Sequence, residues 1–405
     1  MGNFYDDLET RDSAARAAAI AEALPRQLAA ASVLEGYGGR FDGIDMSAIT
    51  SAAELTRLPV LRKSDLVSAQ SERPPLGGYA DAAIRFTHVF QSPGPIYEPG
   101  RMDVADWWRF GRFMHAAGIG ASDVVQNCFG YHLTPAGIMM ESGARAVGAT
   151  VIPAGTGQTE LQVQAAKALG ATAYAGTPDY LKVILEKADA MGVDLAITKA
   201  AVSGGALFPS LREWYEARGI KVTQCYATAD LGHVATEITP GEGMVIDEGV
   251  IVEIVTPGTG DPVAPGEVGE VLVTSLNPDY PLIRFATGDM SALHDAPASD
   301  GRTNMRIKGW MGRADQTAKI KGMFVRPEQV AALVAATGAD RVRVIATREG
   351  EADKMIVKVE GEGLEPAALD AAVKEHLKLR GDVEQVGAGS LPRDGVVIED
   401  QRSYD

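Results

Sequence analysis

The sequence predicts an α/β protein: a large N-terminal domain of mostly parallel sheet with a β-rich portion, then a small α+β C-terminal domain. Three observations carry this. Between Ile84 and Ala235, short apolar runs alternate with amphipathic helical segments, the order that builds a parallel sheet covered by helices on both faces. After Glu237 the chain becomes strand-rich and is punctuated by Gly and Pro turns. From Pro327 onward helix and strand alternate again. The change of pattern places the boundary near Arg313 to Asp315, giving domains 1–312 and 313–405.

The elements follow in order. Ala14 to Ala31 is Ala-rich, with Leu24 and Leu28 four residues apart, and reads as a helix. Ser64, before Asp65 and Leu66, reads as a helix N-cap. Asp123–Cys128, Ala149–Ile152, Ala171–Ala175, Lys199–Val202 and Ile220–Gln224 read as strands. Thr159–Leu169 and Asp179–Met191 read as helices between them. Gly249–Val255 and Gly269–Thr274 are strands joined by Gly-Thr-Gly-Asp-Pro and Ala-Pro-Gly turns. Met305–Lys321 reads as further strands. Val342–Ala346 and Met355–Glu360 are strands, and Pro366–Leu379 a helix.

Composition narrows the function classes. Apolar residues make up 46% of the 405 and charged residues 23%, enough for a large core and against disorder. The net charge of −16 repels nucleic-acid phosphates and anionic membrane surfaces. No apolar run approaches the roughly 18 residues of a membrane span. The two cysteines, Cys128 and Cys225, do not make a secreted disulfide framework. The expected location is the cytoplasm, with no nucleic-acid or membrane partner.

Generic catalytic motifs are missing. There is no Walker loop, and Gly118-Ile119-Gly120 lacks the third glycine of a dinucleotide turn. Ser203 follows a strand without the leading glycine of a nucleophile elbow. The six histidines contain no H-x-x-x-H pair, so zinc is a weak reading.

Four segments are less generic: Gly155 to Glu160, Tyr226 to His233, Tyr280 to Asp289 and Gly312 to Gly322. Singly, each fits a turn, a hairpin or a capped helix; Thr159 is equally an N-cap and Asp289 a strand stop. In this order, with Leu58-Pro59-Val60-Leu61-Arg62-Lys63-Ser64-Asp65-Leu66 ahead of them and Thr177-Pro178-Asp179-Tyr180-Leu181 among them, they resemble the adenylate-forming acyl-CoA synthetases. The similarity is greatest to the phenylacetate–CoA ligase branch and runs along almost the whole chain.

The resemblance implies the fold of those enzymes and a two-step reaction. A carboxylic acid and ATP give an acyl-adenylate and pyrophosphate; coenzyme A then displaces AMP. It implies ATP/AMP, Mg²⁺ and coenzyme A as ligands, a small carboxylic acid of aromatic type or its acyl-CoA as substrate, and a homodimer. Position by position, Asp289 should accept the ribose hydroxyls, because a carboxylate offers two oxygens to a vicinal diol. Arg313 should bind phosphate or ribose oxygens, and Tyr226 should stack on adenine. Asp230 matches the acid that holds Mg²⁺, and Glu237 a second acid beyond it. Phe129, Tyr131, His132, Gly204 and Gly205 fall at the acyl pocket, although Phe129 and Tyr131 fit strand-end core equally well. Asp315 matches the hinge.

The departures fall on the groups that handle phosphate. The phosphate loop reads Val89-Phe90-Gln91-Ser92-Pro93-Gly94-Pro95-Ile96. Only Ser92 and Gly94 remain of its nucleotide-binding pattern, the lysine is gone, and Pro93 and Pro95 each lack an N–H donor. Val396 stands near the place of the C-terminal lysine, and Ala206 replaces a Glu. Losing one preorganised donor of this kind typically costs about a hundred- to a thousandfold in rate. Two alternatives to a working ligase therefore stand. One is a repurposed enzyme acting on an acyl or CoA-type substrate without ATP, with His132, His233, Asp230 and Glu237 as acid or base. The other is a non-catalytic homologue. Lys319, Lys321 and Arg393 are candidate replacements for the missing cations.

Overall fold

The computed structural model describes residues 4–402 except 94, 206, 295, 297, 317, 322, 350–351, 362–364 and 393–395. The chain divides into two units. The first comprises residues 1–267, 271–287 and 292–309, the second residues 268–270, 288–291 and 310–405.

The first unit is built on a nine-stranded mixed sheet. Its order is Leu293–His294, Arg306–Ile307, Met244–Ile246, Gly232–Thr236, Lys221–Thr228, Lys199–Val202, Ala173–Gly176, Val124–Asn127, Thr150–Pro153. The last five strands run parallel. Gly232–Thr236 folds back antiparallel on Lys221–Thr228. Helices cover both faces. Phe110, Phe113, Met139 and Met140 pack against Val125 on one side; Val163, Leu181 and Ile184 pack with Tyr174 and Val222 on the other.

Local chemistry explains the helix limits. Ser13–Ser32 starts where the Asp12 carboxylate accepts the Ala15 N–H at 2.7 Å. Pro178 opens Pro178–Met191 and Gly192, at φ 65°, closes it. Two N-caps differ from the sequence reading. The helix Lys63–Glu72 is capped at Arg62, whose N–H is accepted by Asp65 at 3.0 Å, so Ser64 lies inside it. Thr159 is the first residue of its helix, and Gln158 in a left-handed conformation precedes it.

The chain reverses direction across the sheet at Val124–Asn127. The next strand, Thr150–Pro153, lies on one side of it and the one after, Ala173–Gly176, on the other. Ligands of open α/β sheets bind outside the carboxyl ends of strands at such a switch point. The loop after Asn127, which carries Phe129 and Tyr131, starts there.

A second sheet takes the order Leu61–Arg62, Phe285–Ser291, Gly269–Ser275, Val250–Val255. A two-stranded ribbon pairs His88–Ser92 with Ile96–Gly100, a hairpin the Pro-containing sequence had not suggested. In the second unit, Asp382–Val386, Ala352–Glu360, Arg341–Glu349 and Ile398–Asp400 form a sheet in that order. Pro327–Thr337 and Pro366–Leu377 supply helices, and Leu333, Val344, Val357, Leu369 and Val373 fill the core. The stretch read as strands from Met305 instead holds short strands at Arg306–Ile307 and Ala318–Ile320 around a 3-10 turn at Ala314–Gln316.

Candidate active site

The switch-point loop forms one wall of an apolar cavity of about 160 Å³ in the first unit. Phe129, Phe110, Met139 and Met140 line it with Ala136, and Ser92 and Gly204 meet it at its edge. Asn127 shapes the loop. Its side-chain oxygen accepts the Phe129 N–H at 3.2 Å, and its amide nitrogen donates to Tyr131 Oη at 2.7 Å and to the Gly137 carbonyl at 2.8 Å. Gly137 is required: a Cβ there would stand 2.7 Å from the Gly130 oxygen. Asn127 was not singled out from sequence, because an Asn ending a buried strand gives no motif.

The sequence-predicted pocket residues separate on this geometry. Phe129 is both core and pocket wall. Gly204 is at φ 70°, where an added Cβ would approach the Phe129 ring at 3.6 Å. Gly205 is exposed beside Pro178. Tyr131 does not line the cavity. Its hydroxyl donates to Glu141 at 3.1 Å, and burial, reinforced by the Glu141 charge, raises its pKa. His132 is exposed and lines an adjoining open hollow of about 550 Å³ with Ser92, Pro93 and Pro95. Gly94, Ala206 and Arg393 lie outside the described residues.

Asp230 sits in the turn between Lys221–Thr228 and Gly232–Thr236. Its Oδ2 accepts from Lys63 Nζ at 3.1 Å, while Oδ1 is buried without a partner. That free oxygen suits a hard cation, so the residue fits the Mg²⁺ role the resemblance implies. Tyr226 is only 8% exposed and packs in the core with Leu231 and Val234, so it is not an open platform for a base.

Two of the proposed acid–base groups are placed elsewhere. Asp230 lies at the turn end of the hairpin strand Gly232–Thr236 and Glu237 just beyond its other end. Glu237 is ion-paired with Arg212 and accepts the Gly241 N–H at 3.3 Å. His233 is 1% exposed; Nε2 is 2.6 Å from Thr236 Oγ1, Nδ1 is 3.4 Å from Asp247, and the ring stacks on Phe113. These contacts tie Glu237 and His233 into the framework of the first unit. The strand alternation that turns His233 inward is set by its partner strand, which the sequence motif does not show.

In the second unit, Asp289 lies inside the strand Phe285–Ser291 instead of stopping it. Its Oδ1 faces Arg313 Nη1 at 3.3 Å and Trp310 Nε1 at 3.0 Å. Gly288, at φ 74°, allows this approach: a Cβ there would fall 2.8 Å from Arg313 Nη2. The Asp315 backbone lies in the 3-10 turn Ala314–Gln316.

The AMP-binding enzyme family model matches residues 107–277. The phenylacetate-coenzyme A ligase of Thermus thermophilus is 29% identical over 335 residues, 78% of this chain and 74% of that one. That of Aromatoleum evansii is 29% identical over 363 residues, 84% of this chain and 81% of that one. The chain carries an AMP-binding enzyme region and is similar along most of its length to the phenylacetate–CoA ligases. Among solved structures, 2-hydroxyisobutyryl-CoA ligase in the postadenylation state with 2-HIB-AMP superposes with a TM-score of 0.78 at 25% identity, over 97% of this chain and 91% of that chain. ATP-bound MatB from Rhodopseudomonas palustris, 16% identical with a TM-score of 0.57 over 79% of this chain and 67% of that chain, shares the fold. Among the described residues, no helix is long and apolar enough to cross a membrane.

Proposed function

We propose that the protein is an AMP-forming acid–CoA ligase acting on a small acid with an apolar, ring-sized body. The observation that carries this is the Asp289–Arg313 pair, at 3.3 Å beside Gly288, where an added Cβ would fall 2.8 Å from Arg313 Nη2. An ionised carboxylate braced by a guanidinium offers oxygens to two neighbouring hydroxyls, the recognition a ribose requires. The apolar cavity beside Phe129 and Gly204 supports the acyl end of the reading, since it surrounds a hydrocarbon body with few polar groups.

In this reading the acid's carboxylate oxygen attacks the α-phosphorus of ATP. The α–β P–O bond breaks and pyrophosphate leaves. The thiol sulfur of coenzyme A then attacks the acyl carbon, AMP departs with the C–O electron pair, and the thiol proton passes to solvent. Phe129, Met139 and Met140 hold the acid's body and exclude water. Asp289 and Arg313 fix the ribose, and Asp315 is the hinge between the parts 1–312 and 313–405. Bound Mg²⁺ at Asp230 would supply positive charge to the phosphates. The resemblance also supports a homodimer, and the acidic charge fits the cytoplasm.

A second reading draws on the loop Ser92–Ile96, where Pro93 and Pro95 give no backbone donors. In it the protein keeps nucleotide and CoA recognition but acts on an acyl-CoA without ATP. Calorimetric titration with Mg²⁺·ATP, AMP and coenzyme A distinguishes the two. ATP binding below about a millimolar, with pyrophosphate release on adding aromatic acids, supports the ligase. CoA binding without ATP binding overturns it in favour of the second reading.

A further inference from the structure

The helix Ala136–Ala146 gives the acyl cavity one wall through Ala136, Met139 and Met140, and the loop after Asn127 gives it another through Phe129. Methionine side chains adapt to what they touch. A definite cavity shape therefore has to come from the backbone that carries them. The helix starts at Pro135 without a side-chain cap, so no cap of its own fixes its first turn. The loop fixes it instead. The Gly137 N–H donates to the Gly130 carbonyl at 3.0 Å, and a Cβ on Gly137 would stand 2.9 Å from the Tyr131 ring. One turn further on, Glu141 accepts the Tyr131 hydroxyl proton at 3.1 Å. The same hydroxyl accepts from the Asn127 amide at 2.7 Å, and that amide also donates to the Gly137 carbonyl at 2.8 Å. A chain of hydrogen bonds thus runs from the buried end of the strand Val124–Asn127, through Tyr131, to the helix. Burial keeps the Tyr131 hydroxyl protonated, hence a donor, and a carboxylate is the stronger kind of acceptor for it. Asn127, Tyr131 and Glu141 all stand outside the cavity lining.

We propose that Glu141, acting through the Tyr131 hydroxyl, is a positioning residue that holds the helix wall and the loop wall at a fixed spacing and so makes the cavity select a rigid ring over a flexible chain. This rests on the reading of the cavity as the seat of the acid's body. A preformed cavity favours a rigid ligand, which gives up little conformational freedom on entering. Walls that the ligand must first order lose this advantage, and a chain then fits about as well as a ring. Asn127 is the fixed end of the device, since parallel strands flank it on both sides. Glu141 is the end that reaches the helix, one residue beyond Met140. Neither belongs to a motif segment of the sequence.

The test uses the full chain and two acids of equal reach from carboxyl to far end, phenylacetate and hexanoate. Binding is followed by ligand-detected nuclear magnetic resonance with no nucleotide present. Wild type is expected to bind phenylacetate at least about tenfold more tightly than hexanoate. Glu141→Leu and Tyr131→Phe should each cut that ratio at least about fivefold, while Glu141→Gln, which keeps an acceptor for the hydroxyl, should stay within about twofold of wild type. A wild type that binds neither acid, or both equally, overturns the proposal. So does a ratio that Glu141→Leu leaves unchanged, even with a lower melting temperature, because a role in stability alone moves only the melting. So does Glu141→Gln falling as far as Glu141→Leu. Should Glu141→Leu not fold by near-ultraviolet circular dichroism, Tyr131→Phe decides by the same ratio. Pyrophosphate release is measured separately: its absence sinks the ligase reading and leaves the binding ratio standing, and an unmoved ratio leaves the ligase reading intact.

Discussion

The Trp310 indole nitrogen donates to Asp289 Oδ1 at 3.0 Å, the same oxygen that faces Arg313 at 3.3 Å. A largely exposed tryptophan and an arginine thus fix one carboxylate from two directions. Trp310 is 57% exposed, so Trp310→Phe should leave the fold intact. A hydrogen bond to a charged group is worth about 1.5–3 kcal/mol, part of which is orientation of Asp289. Trp310→Phe is expected to weaken AMP binding about three- to tenfold, and Asp289→Ala to reduce it by more than about a hundredfold. Calorimetry with AMP checks both, and equal affinity of Trp310→Phe and wild type would remove the orienting role.

The acyl cavity offers a separate test. Ala136 lines the space of about 160 Å³. A phenylalanine ring at this position would occupy the room a substrate ring needs. Ala136→Phe should lower acid-dependent pyrophosphate release by at least about tenfold for ring-bearing acids, in line with steric discrimination in hydrophobic pockets. AMP affinity should stay within about twofold, since the ribose pair is untouched. Parallel loss of AMP binding would mean the substitution disturbed more than the pocket.

Asp247 anchors a buried ionic cluster. Its carboxylate meets Arg109 at 3.3 Å, Arg112 at 3.2 Å and His233 at 3.4 Å. Burial alone would raise its pKa; His233 and the two guanidiniums outweigh this and hold it well below the carboxylate range. Asp247→Asn leaves the cations unmatched and should cost about 3–5 kcal/mol. The folded pKa is depressed, so the stabilisation is complete above the unfolded value of about 3.9 and is lost as pH falls through the folded one. Urea unfolding at pH 7 and pH 3 should show a large gap between variant and wild type that narrows in acid.

Asp106 has the opposite sign. Both its oxygens approach the Gly111 N–H at 2.9 Å, but burial prevails and pushes the carboxyl up to about 6. The native state therefore holds a proton that the unfolded chain releases near pH 3.9. Stability falls as pH rises from about 4 to about 6 and stays lower beyond. Asp106→Asn keeps an acceptor for Gly111, and Asn tolerates the positive φ of 50°. The variant should be more stable by about 1–3 kcal/mol at pH 7.5 and little changed at pH 3.5, as thermal unfolding across that range would show.

Much of the frame is legible in the residues. Thr159–Leu169 occupies the span its periodicity predicts, and Lys199–Val202 likewise. The α/β alternation follows from apolar spacing, which depends on neighbours three or four residues away. Caps were read less well. Ser64 looked like an N-cap, yet the chain uses Asp65 reaching back to Arg62, because a carboxylate at the third helical position accepts that N–H equally well. The His88–Ser92 ribbon is not legible in the sequence because Pro93 and Pro95 mask strand propensity, although both lie in the turn between its strands.

The sequence by itself determined the α/β class, the succession of helices and strands, and the motif positions that tie this chain to the adenylate-forming enzymes. Spacing and local propensity carry that information, and both act over a few residues. The tertiary structure alone decided which neighbours each acid meets. Asp230 and Glu237 belong to one motif, yet a strand's length separates them and Arg212 claims the second. His233 is taken by Asp247, fourteen residues on, and by the ring of Phe113. Charge and burial depend on such distant neighbours, and only the folded chain brings them together.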